Sequence, residues 1–366
     1  MRWPRWRKNT AAKALGLPLL QTAPFRRWED VFSLIADGSS AGRTVIVIDE
    51  FQYLGKSKSS FPSVLQRIWD TDLKNRDVML ILCGSLVSMM VPQTLSYSSP
   101  LYGLRTKQMR LGQIPFRHYH EFFPGRAREE LIGLYSITGG VPKYIELFEE
   151  ADDLYDSIAK SVLSKSSYLY DEPACLVQNE VSEVGSYFSI IRSIAFGNRK
   201  IGKIAADLGI KQTNLTKFLR TLIDLDILER EVPVTEESPE KSRENLVDGH
   251  IAFVYEYVCL ERMWELNAED AWPFTFAHAG RWWDNHGNEI DIVALDPERD
   301  NIVLGACKHW KGPVGVNVLE RLEEKAALVD WHRESRREWF VLFSINGFTP
   351  ELEALASERD DVLLLR

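Results

Sequence analysis

The 366-residue sequence predicts an α/β protein of more than one domain, and three stretches carry that reading. Thr44-Val-Ile-Val-Ile-Asp49-Glu50 is a β-branched run closed by two carboxylates, the pattern of a strand buried on both faces of a parallel sheet. Ile201 to Arg220 reads as helix, glycine-containing turn and second helix, the frame of a winged helix. Near the C-terminus the apolar runs Glu289–Ala294 and Ile302–Cys307 flank the turn Asp296-Pro-Glu-Arg-Asp300 and predict a second sheet. At roughly 100 to 200 residues per domain, the length fits two or three such bodies.

Composition narrows the function classes. Hydrophobic residues make up 45% and charged residues 27%, a globular balance that excludes a disordered chain or a fibrous repeat. A net charge of -9 excludes a uniformly basic protein, so any nucleic-acid contact must occupy a local face. Cys83, Cys175, Cys259 and Cys307 form no CxxC pair, which argues against a disulfide framework and a zinc site and for a reducing cytoplasm. The apolar run Val78–Pro92 is interrupted by Gly84, Ser85 and Ser88 and falls short of the roughly 20 residues a membrane span needs, so no membrane partner is expected. The basic start MRWPRWRKNT leads into no apolar core of a secretory signal.

Each element follows in order. Val31, Phe32, Leu34 and Ile35 give one face to a helix over Trp28–Ala36. The acidic strand, a helix over Phe61–Leu73 and a second apolar strand over Val78–Cys83, ending at Gly84-Ser85, make a βαβ unit, whose ligands bind at the C-terminal strand ends. Phe116 to Phe148 is helical, with a break at Thr138-Gly139-Gly140-Val141-Pro142, and is expected to form a lid or subdomain. Three short helical patterns and a strand, Ile227–Val234, occupy 186–234, and the polar segment Thr235–Arg243 follows as wing or linker. A helix over 251–266 opens the last unit.

Three groups of residues carry chemistry. Asp49 at the strand end is placed to hold a hydrated Mg²⁺ and Glu50 to polarise a water, with Ser85 on the next strand as a sensor of water or phosphate; a strand that simply ends in acidic surface residues fits the same pattern. In the helix-turn-helix, Lys211, Gln212, Thr213, Asn214 and Lys217 form the polar front of the second helix while Leu215, Phe218, Leu219 and Leu222 face the core. From Gly185 to Val232 eight Lys or Arg stand against five Asp or Glu, a local excess opposite to that of the whole chain. In the last unit Asp291 and Lys308 supply a carboxylate for a metal and a lysine for a water, as Mg²⁺-dependent nucleases require. Glu289 lies two residues before Asp291, and Trp282, Trp283 and Trp310 are either core or base-stacking residues.

Taken together, TVIVIDEFQYL (44–54), LILCGSLVSMM (80–90), SPLYGLRTKQMRLGQIPF (99–116), YSITGGVPKYIELF (135–148) and GRWWDNHGNEIDIVAL (280–295) resemble the prokaryotic, archaeal-type AAA-like ATPases that carry a C-terminal nuclease-like domain of unknown function. The resemblance implies a P-loop ATPase domain, here truncated, over 1–150 with its helical lid, a helical connector over 151–184, a winged helix over 185–245 and a restriction-endonuclease-like α/β domain over 246–366. It implies ATP and Mg²⁺ as cofactors, Arg105 as an arginine finger acting between subunits of a homo-oligomer, and Lys143 near the nucleotide. It also implies a PD-(D/E)XK core in which Glu256 is the helical glutamate, Asp291 the first carboxylate and Lys308 the lysine. Two departures stand out. No Gly-Lys-Ser or Gly-Lys-Thr precedes Asp49, so the phosphate-binding loop is missing and Met1 is expected to lie inside a shortened domain. Ala306 replaces the second carboxylate. The expected function is therefore that of an ATP-binding and ATP-hydrolysing protein acting on nucleic acid with impaired catalysis; the alternative is a non-catalytic DNA-binding or protein-interaction module.

Overall fold

The computed structural model describes residues 27–38, 43–85, 90–149, 153–172, 175, 184–225, 227–236, 242–246, 251–272 and 274–366. The chain divides into two compact units, Met1–Arg110 and Leu111–Arg366.

The first unit runs α1 (Trp28–Gly38), β1 (Thr44–Ile48), α2 (Phe51–Ser57), α3 (Phe61–Ile68) with a π turn over Trp69–Leu73, β2 (Val78–Leu82) and a further π turn over Val91–Leu95. β1 and β2 are parallel, with Thr44 opposite Val78 and Ile48 opposite Leu82, so α2 and α3 form the crossover that parallel pairing requires. Phe61, Leu65 and Ile68 recur at helical spacing and are buried with Phe32, Ile46, Phe51 and Leu73 in one core. The expectation that β1 is buried on both faces does not hold among the described residues. Val45, Val47 and Met79 are 54%, 57% and 53% exposed, because the two strands turn only one face to the helices.

The second unit holds a three-helix module with a two-stranded pair, the segment expected as a winged helix, and a five-stranded sheet. The module comprises α8 (Val184–Ala195), α9 (Ile201–Leu208), α10 (Gln212–Asp224), β3 (Leu228–Glu231) and β4 (Arg243–Leu246), after α4 (Phe116–Tyr119), α5 (Arg128–Thr138), α6 (Pro142–Glu146) and α7 (Leu154–Ser161). β3 and β4 pair antiparallel as the wing, and part of the polar segment between them, 237–241, lies outside the described residues. Its core is Tyr187, Ile190, Ile194, Ile204, Leu215, Leu219, Leu222 and Leu228.

α11 (Ile251–Ala268) leads into β5 (His278–Trp283), β6 (Glu289–Asp296), β7 (Asn301–Lys308), α12 (Val316–Ala326), β8 (Arg337–Ser344), α13 (Pro350–Ser357) and β9 (Val362–Leu365). The strand order is β5-β6-β7-β8-β9, antiparallel up to β7 and parallel from β7 onwards. The polarity changes at β7 because tight turns join β5 to β6 and β6 to β7, whereas α12 and α13 carry the chain back for each later strand. β7 is buried on both faces, which its apolar run Ile302–Leu304 requires. One face of the sheet packs on α11 and on Phe116, Tyr119, Ile132 and Tyr135; the other packs on Val318, Leu319 and Leu322 of α12 and Leu352 of α13.

The helices expected as a lid of segment 1–150 therefore share a core with the sheet, and the structural division falls at Arg110. The break between α5 and α6 is built as its glycines suggest. Gly139 and Gly140 both adopt positive φ, 55° and 73°, and a Cβ on Gly140 would collide with the Ile114 carbonyl. All four cysteines are free, and no helix of the described residues is long and apolar enough to cross a membrane.

Candidate functional site

At the end of β1 the chain makes a two-residue excursion between two rungs of the strand pair. Cys83 N–H donates to the Ile48 carbonyl and Phe51 N–H to the Cys83 carbonyl, both at 2.9 Å, leaving Asp49 and Glu50 outside the ladder and exposed. Glu50 takes the left-handed conformation, φ 52° and ψ 41°, which costs a non-glycine residue about 1–2 kcal/mol. Its amide donates to Asp49 Oδ1 at 2.9 Å, and its carboxylate accepts from Ser85 Oγ at 3.3 Å and from Gln52 Nε2. The three residues read from the sequence thus meet at one point.

Gln52 completes the group, and sequence reasoning missed it. Its side chain is fully buried, its backbone carbonyl accepts from Gln93 Nε2 at 3.0 Å, and a Cβ on Gly84 would collide with its amide oxygen. A glutamine two residues beyond the acidic pair, followed by a glycine at the next strand end, was the available signal. Among the described residues Asp49 keeps one oxygen uncommitted, enough for a hydrated Mg²⁺ whose other ligands are water and phosphate oxygens. The described residues supply no phosphate cradle. The chain's Gly-Lys-Ser triplet, Gly55–Ser57, forms the last turn of α2 and not a loop at a helix start. Arg105 donates to Gln108 Oε1 at 3.1 Å and stacks 4.9 Å from the Tyr102 ring, without a bond to Asp49, Glu50 or Ser85 among the described residues. Lys143 belongs to the second unit, exposed and paired with Glu146 at 2.7 Å.

Lys211, Gln212, Thr213, Asn214 and Lys217 are all exposed along the front of α10, while Leu215, Leu219 and Leu222 are buried behind them. The wing is committed elsewhere. Arg243 of β4 pairs with Glu289 at 2.5 Å and lies 4.5 Å from the Trp283 ring, and Glu231 of β3 lies 3.7 Å from Arg281.

The third group forms where β6 begins and β7 ends. A β-bulge places three residue steps of β6, Ile290 to Val293, against two of β5, Gly280 to Trp282. Asp291, within that stretch, accepts on one oxygen both from Lys308 Nζ and from the Cys307 amide, each at 2.8 Å. Glu256 of α11 is bound by Arg281, and burial pushes its carboxyl up to about 7 although the guanidinium and Lys308 favour the charged form. Asp291, Lys308 and Glu256 thus share one electrostatic neighbourhood, with Arg281 as the member sequence reasoning did not assign. These donors do not make up a divalent-cation site: each carboxylate is paired with a cation, Ala306 contributes a methyl group, and no group of three or more His, Cys, Asp or Glu able to hold a metal occurs among the described residues. Trp282 and Trp283 are core, whereas Trp310 is 46% exposed.

Comparison with known proteins supports both ends of the chain. Residues 5–148 match an ATPase domain found predominantly in Archaea, a match that runs across the division at Arg110, and residues 226–326 match a family described as archaeal and bacterial proteins of unknown function. The uncharacterized protein MJECL04 of Methanocaldococcus jannaschii is 34% identical over 342 residues, 84% of this chain and 74% of that protein. The chain belongs to this archaeal-type ATPase family. A second protein of that organism, MJ0424, is 41% identical to the family member described here over 56 residues, 15% of this chain and 54% of that protein. Protein VC1899 from Vibrio cholerae, a crystal structure, aligns over 92% of each chain at 11% identity with a TM-score of 0.25, a value from which no shared fold follows.

Two stability outcomes follow from the third group. Asp291→Ala leaves the Cys307 amide and Lys308 without their shared acceptor and should cost roughly 2–3 kcal/mol in urea denaturation, whereas Asp291→Asn, which keeps an acceptor, should lose clearly less. The folded chain holds a proton on Glu256 that the unfolded chain has released, so this group costs stability as pH rises from the ordinary 4.5 through about 7. Relative to Glu256→Gln, the wild type should lose about 3 kcal/mol between pH 4.5 and 7.5; parallel curves for the two proteins would show that Glu256 titrates normally.

Proposed function

We propose that this chain is an ATPase-type protein that acts on nucleic acid, keeping the water-positioning end of the nucleotide site and lacking its own phosphate loop. The observation that supports this reading most directly is Glu50, held in a left-handed conformation at the end of β1 by Gln52, Ser85 and Asp49. Strained backbone at a strand end, with carboxylates facing outward, suits a site that orients a water. In this reading Asp49 holds the hydrated Mg²⁺ that ATP brings, Glu50 orients the attacking water and Ser85 senses the phosphate. With no lysine from a Gly-Lys-Ser/Thr loop ahead of Asp49, the phosphates find little charge compensation within this sequence. Calorimetry should therefore give a dissociation constant for ATP with Mg²⁺ on the order of 1 mM, equivalent to only about 4 kcal/mol. Residual phosphate release should fall at least about tenfold in Glu50→Gln. Turnover equal in wild type and variant would remove hydrolysis from the reading.

Nucleic-acid contact through α10 is supported by its exposed front of Lys211, Gln212, Asn214 and Lys217 over a fully apolar back. The described strands of the wing are tied to β5 and β6 by ion pairs, so α10 is the described part of this module that presents unpaired cations to a duplex. Lys211→Ala with Lys217→Ala should weaken duplex DNA binding and lower the slope of log affinity against log salt by about 1 for each lysine that had neutralised a phosphate. An unchanged slope would assign the module to protein contact, the alternative reading of the chain.

A further inference from the structure

Between the start of β6, the end of β7 and helix α12 lies a cleft of about 180 Å³, lined by Glu289, Asp291, Ala306, Lys308, Trp310, Arg321 and Lys325 among others. Val318, Arg321, Leu322 and Lys325 recur at i, i+3, i+4 and i+7, so the face of α12 that packs on the sheet also brings two cations to the cleft. The charges there are unbalanced. Lys308 neutralises Asp291, and Glu289 has its carboxylate occupied by Arg243. Arg321 is exposed and has no ion-pair partner among the described residues. Lys325 spends one N–H on the Glu289 carbonyl at 2.8 Å and retains two more. The carboxylates of the cleft, Asp291 and Glu289, each already face a cation, so a divalent cation would have to compete with Lys308 and Arg243 and would meet Arg321 and Lys325 as well, whereas an anion would meet three donors. Ala306, where the family resemblance expects a carboxylate, offers neither repulsion to an anion nor a ligand to a metal.

We propose that this cleft binds a phosphate of single-stranded nucleic acid directly, without a divalent cation, between Lys308, Arg321 and Lys325, with the adjoining base stacked on Trp310. The inference rests on the reading of the chain as a nucleic-acid protein and assigns that role a second surface, separate from α10. The volume lies below the roughly 300 Å³ of ordinary small-molecule pockets, so it admits a phosphate group and leaves the rest of the strand outside. Trp310, nearly half exposed at the rim, offers the stacking face that unpaired bases use and paired bases lack.

The experiment is fluorescence anisotropy of the full chain with a labelled single-stranded oligothymidine and, separately, a labelled duplex, each in EDTA and in Ca²⁺. Single-strand binding is expected to persist in EDTA, to fall at least about tenfold in Arg321→Glu and several-fold in Trp310→Ala, and to be unaffected by the Lys211→Ala, Lys217→Ala pair. Duplex binding should respond in the opposite way, so loss of one surface is distinguishable from loss of the other. Ala306→Glu restores the missing carboxylate and should weaken single-strand binding in EDTA, with recovery in Ca²⁺. The proposal is overturned by single-strand affinity within twofold of wild type in Arg321→Glu, by binding that needs Ca²⁺ in the wild type, or by competition from millimolar inorganic phosphate as effective as that of unlabelled oligothymidine. Circular dichroism and thermal melting of each variant separate these outcomes from failure to fold.

Discussion

A single carboxylate fastens the end of β7 to the start of β6. The strand pairing of β6 with β7 extends to Ile292 and Gly305, and beyond it Asp291 takes the Cys307 amide and the Lys308 ammonium on one oxygen. A charged acceptor in place of a backbone carbonyl is stronger than the rung it replaces, and it holds the end of β7 where the strand turns towards Trp310. The bulge opposite β5 supplies the geometry, by redirecting a β6 side chain that strict alternation would point elsewhere. Lys308 is drawn inward, the cleft beside α12 keeps its shape, and Glu256 is left to Arg281. A residue read from sequence as a metal ligand thus carries a structural duty that any activity assay on Asp291 variants must separate from chemistry.

The first unit solves a related problem with backbone strain. Glu50 sits where a glycine would be more comfortable, and the strain is offset by hydrogen bonds from Gln52 and Ser85 and by resumption of the ladder at Phe51 and Cys83. Gln52 can reach Glu50 only because position 84 lacks a side chain. The geometry of the carboxylate is therefore encoded at three places in sequence, 50, 52 and 84, of which the acidic pair is the conspicuous one.

How much was legible follows from range. Periodicity and turn residues located β1, β2, α10, β6 and β7 within a few residues, because their apolar patterns reflect local packing. Asp49, Glu50 and Ser85 were readable because parallel strands bring their C-terminal ends together whatever the loops do. The partners that set the electrostatics were not readable. Arg281 reaches Glu256 across 25 positions of sequence, and Arg243 reaches Glu289 across 46. No local pattern marks which of several arginines will be buried beside a carboxylate. The division at Arg110 was hidden for the same reason: the helical run after Phe116 carries a local apolar face, and only the fold shows that the face is covered by α11 and the sheet.

The two strand-end sites differ in the sign of what they lack. At β1, Asp49 and Glu50 present exposed carboxylates with no paired cation among the described residues beyond the amide and hydroxyl donors already named, so a ligand must bring positive charge with it, as ATP does with Mg²⁺. At β7, the carboxylates are already paired with cations and Arg321 and Lys325 are in excess, a balance that favours the anion proposed above. Losing the carboxylate at position 306 changes the sign of the second. In the reading proposed above, the two strand-end sites therefore select ligands of opposite character: a metal-bearing nucleotide at the acidic pair, and a bare anion beside Arg321 and Lys325.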